Sequence, residues 1–131
     1  MEPELKNCRI LLVTSSLFFV PVIAAFYQGK HFEAVVGASI AIASCNFWRE
    51  PVPGIRKDID RVVSRASMMY IISTTPNSNN ACFRWIIIGG IGTAYAVSSL
   101  LSRRSNSSLW VWAHALMHVC VISGMASYVV S

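Results

Sequence analysis

From Leu109 to Val130 the chain runs without a lysine, arginine, aspartate or glutamate. A bilayer core takes roughly 20 predominantly apolar residues of helix, so this stretch is long enough to cross one. Several shorter apolar runs precede it. The 131-residue chain is 54% apolar and 13% charged, where a soluble domain carries about 25% charged residues. The mean hydropathy is +0.52. The fold class implied is all-α, a polytopic transmembrane helical bundle forming a single membrane domain over residues 1–131. The length leaves little room for a separate soluble domain.

Five helices are predicted, at approximately 10–27, 32–48, 59–74, 82–101 and 109–130. Pro21 should kink the first. The third, Ile59 to Thr74, is short and carries Arg61 and Arg65. Pro51-Val52-Pro53-Gly54 and the Thr75 to Asn80 stretch break the chain on either side of it. The N-terminus lacks an Ala-x-Ala-like cleavage site and reads as the start of a first membrane helix rather than a removable signal.

Charge sets an orientation. Five crossings gather Lys6, Arg9, Arg49, Arg56, Lys57, Arg103 and Arg104 on one face and leave Lys30 and Arg84 on the other. By the positive-inside rule the N-terminus is inside and the C-terminus outside. Four crossings, with the third segment lying in the interface, would set Arg103 and Arg104 against the other cluster, so five fit better. The net charge of +5 therefore sits at helix ends as a topology signal, and a nucleic-acid partner is not expected. The sequon Asn106-Ser107-Ser108 falls inside on this topology and should stay unmodified. Plasma membrane, endoplasmic reticulum and mitochondrial inner membrane all fit the charge pattern.

Cys8, Cys45, Cys82 and Cys120 show no Cys-x-x-Cys pairing, and buried free thiols are expected. Small residues at Gly37-x-x-x-Ala41-x-x-x-Cys45, Gly89-Gly90-Ile91-Gly92 and Ser123-x-x-x-Ser127 suit close helix approach in lipid. Trp110, Trp112 and Tyr128 are expected in the aromatic belts at the two interfaces.

The polar residues within the apolar segments are more specific. His114 and His118 are one turn apart in the last helix and share a face. Ionisable groups at membrane depth face a bundle interior, a partner or an ion, and neutral imidazole is a common metal ligand. The structural alternative is a hydrogen-bonded pair filling the interior. A haem is the weaker reading: two histidines on one face cannot take its opposite axial positions, and His31 falls at the other membrane face. Ser44 lies at the inner end of the second helix and Asp60 opens the third, so both share the depth of the histidines. For Asp58 and Asp60 the simplest role is pairing with Arg56, Arg61 or Arg65 at a helix N-terminus. Arg65 is expected to snorkel or to pair with an acid.

Ser44-Cys45-Asn46-Phe47-Trp48, Asp60 and His114-Ala115-Leu116-Met117-His118 together resemble the superfamily of membrane hydrolases that includes alkaline ceramidases, adiponectin receptors and Per1-like proteins. Its marks are Ser-x-x-x-His late in an early helix, Asp at the start of the next and His-x-x-x-His in the last of seven helices. The resemblance implies zinc held by three histidines, with Ser and Asp supporting a metal-bound water that attacks lipid amides. Carried over, His114 and His118 would be metal ligands, with Ser44 and Asp60 in catalytic or supporting roles. Trp48 stands where the third ligand is expected and cannot bind zinc, and two helices of the seven are lacking. Asp60 or Cys45 would have to complete the set.

The expectation is a non-catalytic membrane protein, a pseudoenzyme serving as a structural or assembly subunit among membrane lipids and other membrane proteins, with no cofactor. The alternative is a zinc-dependent hydrolase of lipid amides at the inner leaflet. There Asp60 would act as general base, Ser44 would orient, and the metal would lower the pKa of its water.

Overall fold

The computed structural model describes residues 2–104 and 109–130. The described residues form helices α1 (Glu2–Ser16), α2 (Phe19–Tyr27), α3 (His31–Trp48), α4 (Ile55–Thr74), α5 (Ala81–Arg104) and α6 (Leu109–Val130), with a short 3-10 turn at Thr75–Asn77. α1 and α2 form one broken rod, so the bundle has five rods. The described residues contain no strand. The sequon at Asn106 and the side chain of Tyr128 lie outside what is described.

Pro21 acts one turn earlier than its own position. It has no N–H to give to the Leu17 carbonyl and its ring crowds that carbonyl. The helix breaks there, and the Val20 N–H donates to the Leu17 carbonyl at 3.1 Å instead. The Phe18 N–H likewise donates to the Ser15 carbonyl at 3.2 Å. These tighter turns close the gap without leaving Leu17 unpaired.

Three helical segments are apolar and long enough to cross a membrane: Cys8–Tyr27, Ala81–Arg103 and Leu109–Ser127. α3 and α4 fall short of that measure. α3 opens on His31 and Glu33, and α4 carries six charged residues from Arg56 to Arg65. α4 also begins earlier than the sequence suggested, at Ile55, because the Gly54 carbonyl accepts from the N–H groups of both Lys57 and Asp58. Asp60 therefore lies a turn and a half inside the helix rather than at its start. The ion pair expected within α4 is absent among the described residues; Arg56 pairs with Glu50 at 2.9 Å.

Successive rods run antiparallel, as short connections require. The α2–α3 turn passes through Gly29 at φ +73°, left-handed backbone that glycine adopts without strain. Contacts fix the register at both ends. At one end Cys8 and Leu11 cluster with Phe47, Trp48, Val111 and Ala115. At the other, Ala25 clusters with Ala34 and Val129, and Phe32 meets Tyr70 edge-on at 5.1 Å. Between them Phe18, Ile40, Ala41 and Met125 form a middle layer, with Val63 of α4 packed against it. α6 packs on α1, α2 and α5, while α3 packs on α1, α2 and α4.

Lipid tails are as apolar as leucine, so helices in a bilayer are held by close van der Waals contact and interhelical hydrogen bonds. Both are visible. Gly37 lies where α2, α3 and α6 converge: a Cβ there would strike Met125 Cε and come within 2.7 Å of Val22 Cγ2. At the α5–α6 crossing Gly90 faces Cys120 and Gly124 faces Ile87. Gly89 and Gly92, by contrast, face open space, so only part of the glycine cluster serves this bundle. All four cysteines are free; Cys8 is buried, Cys82 exposed and the other two partly covered. The thiols are thus not uniformly buried, because Cys82 sits in the first turn of peripheral α5.

Lys30 and Arg84 are used in a way that topology alone did not suggest. Lys30 Nζ donates to the Val129 carbonyl at 3.2 Å. Arg84, buried, donates from Nε to Ser127 Oγ at 3.2 Å and from Nη2 to the Ser127 carbonyl at 3.4 Å. Both cations thus cap the last turn of α6, where carbonyls lack intrahelical partners and the helix dipole is negative.

Gly37→Val should destabilise the bundle by about 1–3 kcal/mol, the usual cost of overpacking. Unfolding in mixed micelles by titration with a denaturing detergent measures this, and an unchanged midpoint would contradict the close approach.

Candidate functional site

The polar residues form a belt through the interior, organised by two adjacent residues near the end of α1. Thr14 and Ser15 project at 100° to one another and so reach different neighbours. The Ser15 and Ser44 hydroxyls hydrogen-bond at 2.9 Å, and both are buried. Thr14 Oγ1 lies 2.8 Å from His118 Nδ1 and 3.1 Å from the Leu11 carbonyl. The hydroxyl has one proton. If it goes to Leu11, the imidazole N–H donates to Thr14; if it goes to Nδ1, the other ring nitrogen carries the proton. Either tautomer pairs His118 Nδ1 with Thr14 and holds the buried imidazole against α1.

Aromatic contacts complete the belt. His118 is 4% exposed; the Phe18 ring stands edge-on to it at 5.3 Å and His114 at 4.9 Å. His114 in turn meets the Trp48 indole edge-on at 5.2 Å. Trp48 is buried between Phe47, at 4.6 Å, and Trp110, at 6.5 Å. The indole thus fills the flank of His114 in the interior. Its Nε1 is buried without a hydrogen-bond partner among the described residues. Trp110 belongs to this interior group on one side, while Trp112 is 58% exposed and suits an interfacial belt.

The sequence grouped Ser44, Asp60, His114 and His118. The structure joins Ser44 and His118 through Ser15 and Thr14, and joins His114 to Trp48. Asp60 has its Oδ1 buried with no hydrogen-bond partner among the described residues. Among the described residues no three His, Cys, Asp or Glu side chains converge as a metal-holding group.

A catalytic zinc takes three protein ligands and keeps an open position for water. Two imidazoles flanked by an indole, whose N–H is a donor only, do not fit that set. Sequence reasoning missed Thr14 and Ser15. The run Thr14-Ser15-Ser16, the polar interruption in an apolar span, was the signal available.

Comparison with family models, with curated proteins and with solved structures finds no match to this chain.

A double-mutant cycle on Ser15→Ala and Ser44→Ala should return a coupling of about 0.6 kcal/mol, the average for interhelical hydrogen bonds in membrane proteins, and no more than ~1.7. Detergent-unfolding midpoints of the four proteins measure it, and strict additivity would show that the hydroxyls do not interact.

Proposed function

We propose that this chain is a non-catalytic integral membrane protein, a structural or assembly subunit of a membrane complex. Its polar belt locks helix register and performs no chemistry. The buried Trp48 ring against His114 carries the reading, because it occupies the flank from which a third ligand would approach. Ser44 supports it: that hydroxyl is engaged by Ser15, not directed at the histidines. The resemblance to the zinc hydrolases is then one of descent or convergence in the helix pattern, with His114 and His118 retained as interior polar groups.

Five crossings with the N-terminus inside follow from the same reading. The antiparallel register puts Arg9, Arg49, Arg56, Lys57 and Arg103 at one end of the bundle. The two cations at the other end, Lys30 and Arg84, are turned onto the C-terminal carbonyls of α6. The unequal distribution of charge is the condition the positive-inside rule acts on.

The exposed surface fits a protein that lives among lipids and other helices. Val20, Phe26, Val35, Ile42, Ile86 and Leu116 all stand outward, and only 17% of the Ala81–Arg103 window is buried in the bundle.

Purified protein should contain far less than one zinc per chain, and His118→Gln should not change that content. Trp48→His, which restores an imidazole beside His114, should raise zinc towards one per chain. Elemental analysis by mass spectrometry decides: stoichiometric zinc in the parent protein, lost on substituting either histidine, overturns the proposal in favour of the hydrolase.

A further inference from the structure

α4 is level with α3 along its whole length. Its Tyr70 meets Phe32 at the start of α3, and its Val63 packs against the layer of Phe18 and Ile40. Phe18 lies midway along the Cys8–Tyr27 span, so with the five crossings proposed above Val63 sits near mid-depth. Arg61 and Arg65 flank Val63 by two residues each, about 3 Å along the axis. At 3.6 residues per turn both project from the opposite side of the helix. They are exposed; among the described residues neither has a carboxylate within 4 Å, although Arg61 is near enough to Asp60 for the two charges to interact. Val62, Ala66 and Met69 around them are also exposed. The outer face of α4 therefore presents two guanidinium groups one turn apart among apolar side chains, with the exposed Asp58 about a turn before Arg61 on the same side; with five crossings this face meets lipid.

Ionisable side chains at membrane depth almost always face a bundle interior, a water-filled cavity or a partner. Here they face away from the chain that carries them. We propose that this face is the docking surface for a membrane-embedded helix of another protein, one bearing carboxylates a turn apart. The proposal rests on the reading of this chain as a subunit of a membrane complex.

Charge complementarity selects that occupant. A guanidinium pairs with carboxylate through two parallel N–H···O bonds, and a partner with the same one-turn spacing meets both. A second copy does not fit. Two copies of the same orientation related by an axis along the membrane normal would set Arg61 beside Arg61 and Arg65 beside Arg65. Lipid phosphates do not fit either, since they lie about 15 Å from mid-depth, half the hydrocarbon thickness, beyond the reach of an arginine side chain.

The full chain, donor-labelled on an N-terminal tag and reconstituted in phosphatidylcholine vesicles, is titrated with an acceptor-labelled leucine-rich transmembrane peptide. The peptide carries either two glutamates one turn apart or two glutamines. Energy transfer should show the glutamate peptide binding on the order of tenfold tighter, as expected of charge-assisted pairs. Arg61→Gln with Arg65→Gln should abolish the preference, while Arg61→Lys with Arg65→Lys should keep most of it. Equal binding of the two peptides, or a preference that survives the double glutamine substitution, overturns the proposal. So does loss of the preference when phosphatidylserine is added, which would assign the face to lipid. Transfer between copies of the chain that vanishes in the double glutamine variant would assign it to self-association and overturn it equally. Zinc measured on the same samples separates the two readings: failure of docking in metal-free protein leaves the non-catalytic assignment standing, and stoichiometric zinc strikes that assignment alone.

Discussion

The bundle depends on the adjacent pair Thr14 and Ser15, which tie α1 to α6 and to α3 by hydrogen bonds. In lipid there is no hydrophobic gain in setting one leucine face against another, so register has to come from groups with direction. Two neighbouring hydroxyls on a helix point about 100° apart, and here each finds a different partner helix. A slip or rotation of α1 would take these partners from three buried polar side chains, Ser15, Ser44 and His118. Unpaired polar groups cost about 1–3 kcal/mol each in protein interiors, which makes the observed register strongly preferred.

The break at Leu17 follows Thr14 and Ser15 directly and is tied to them. Pro21 forbids the regular hydrogen bond to the Leu17 carbonyl, and the chain responds with the tighter turn that carries Phe18 inward. Phe18 then packs on His118 from one side while Thr14 bonds it from another. The proline, the phenylalanine and the hydroxyl thus act on the same imidazole. His118 is held as an element of helix packing, with His114 stacked between it and Trp48. An oriented imidazole is also what a metal centre would use. Here the indole of Trp48 flanks His114, and among the described residues no three His, Cys, Asp or Glu side chains converge.

Much of the architecture was legible from residues alone. Helix number, the approximate ends of α3, α5 and α6, and the chain breaks at Pro51 to Gly54 and Thr75 to Asn80 all follow from hydropathy and turn chemistry. The N-terminal extension of α4 was not legible, because Arg56, Lys57 and Asp58 resemble a loop until Gly54 caps them. The site was half legible. One-turn spacing put His114 and His118 together, and the Ser-x-x-x-Trp pattern drew Trp48 to the same level. Nothing in the spacing said that Ser44 would turn to Ser15, or that Arg84 would reach the end of α6.

Composition and order of apolar runs determined by themselves that this chain is an antiparallel helical bundle of the membrane, because backbone hydrogen bonds in lipid leave a helix few alternatives. They also determined that two imidazoles share one face, since helical periodicity is local. Only the tertiary structure decided what meets that face. Whether Trp48 meets His114 and whether Ser44 meets Ser15 depend on the rotation of α3 about its own axis. That rotation is set by side-chain contacts between segments distant in sequence, at Gly37, Val63 and the two hydroxyls of α1. No local spacing encodes it.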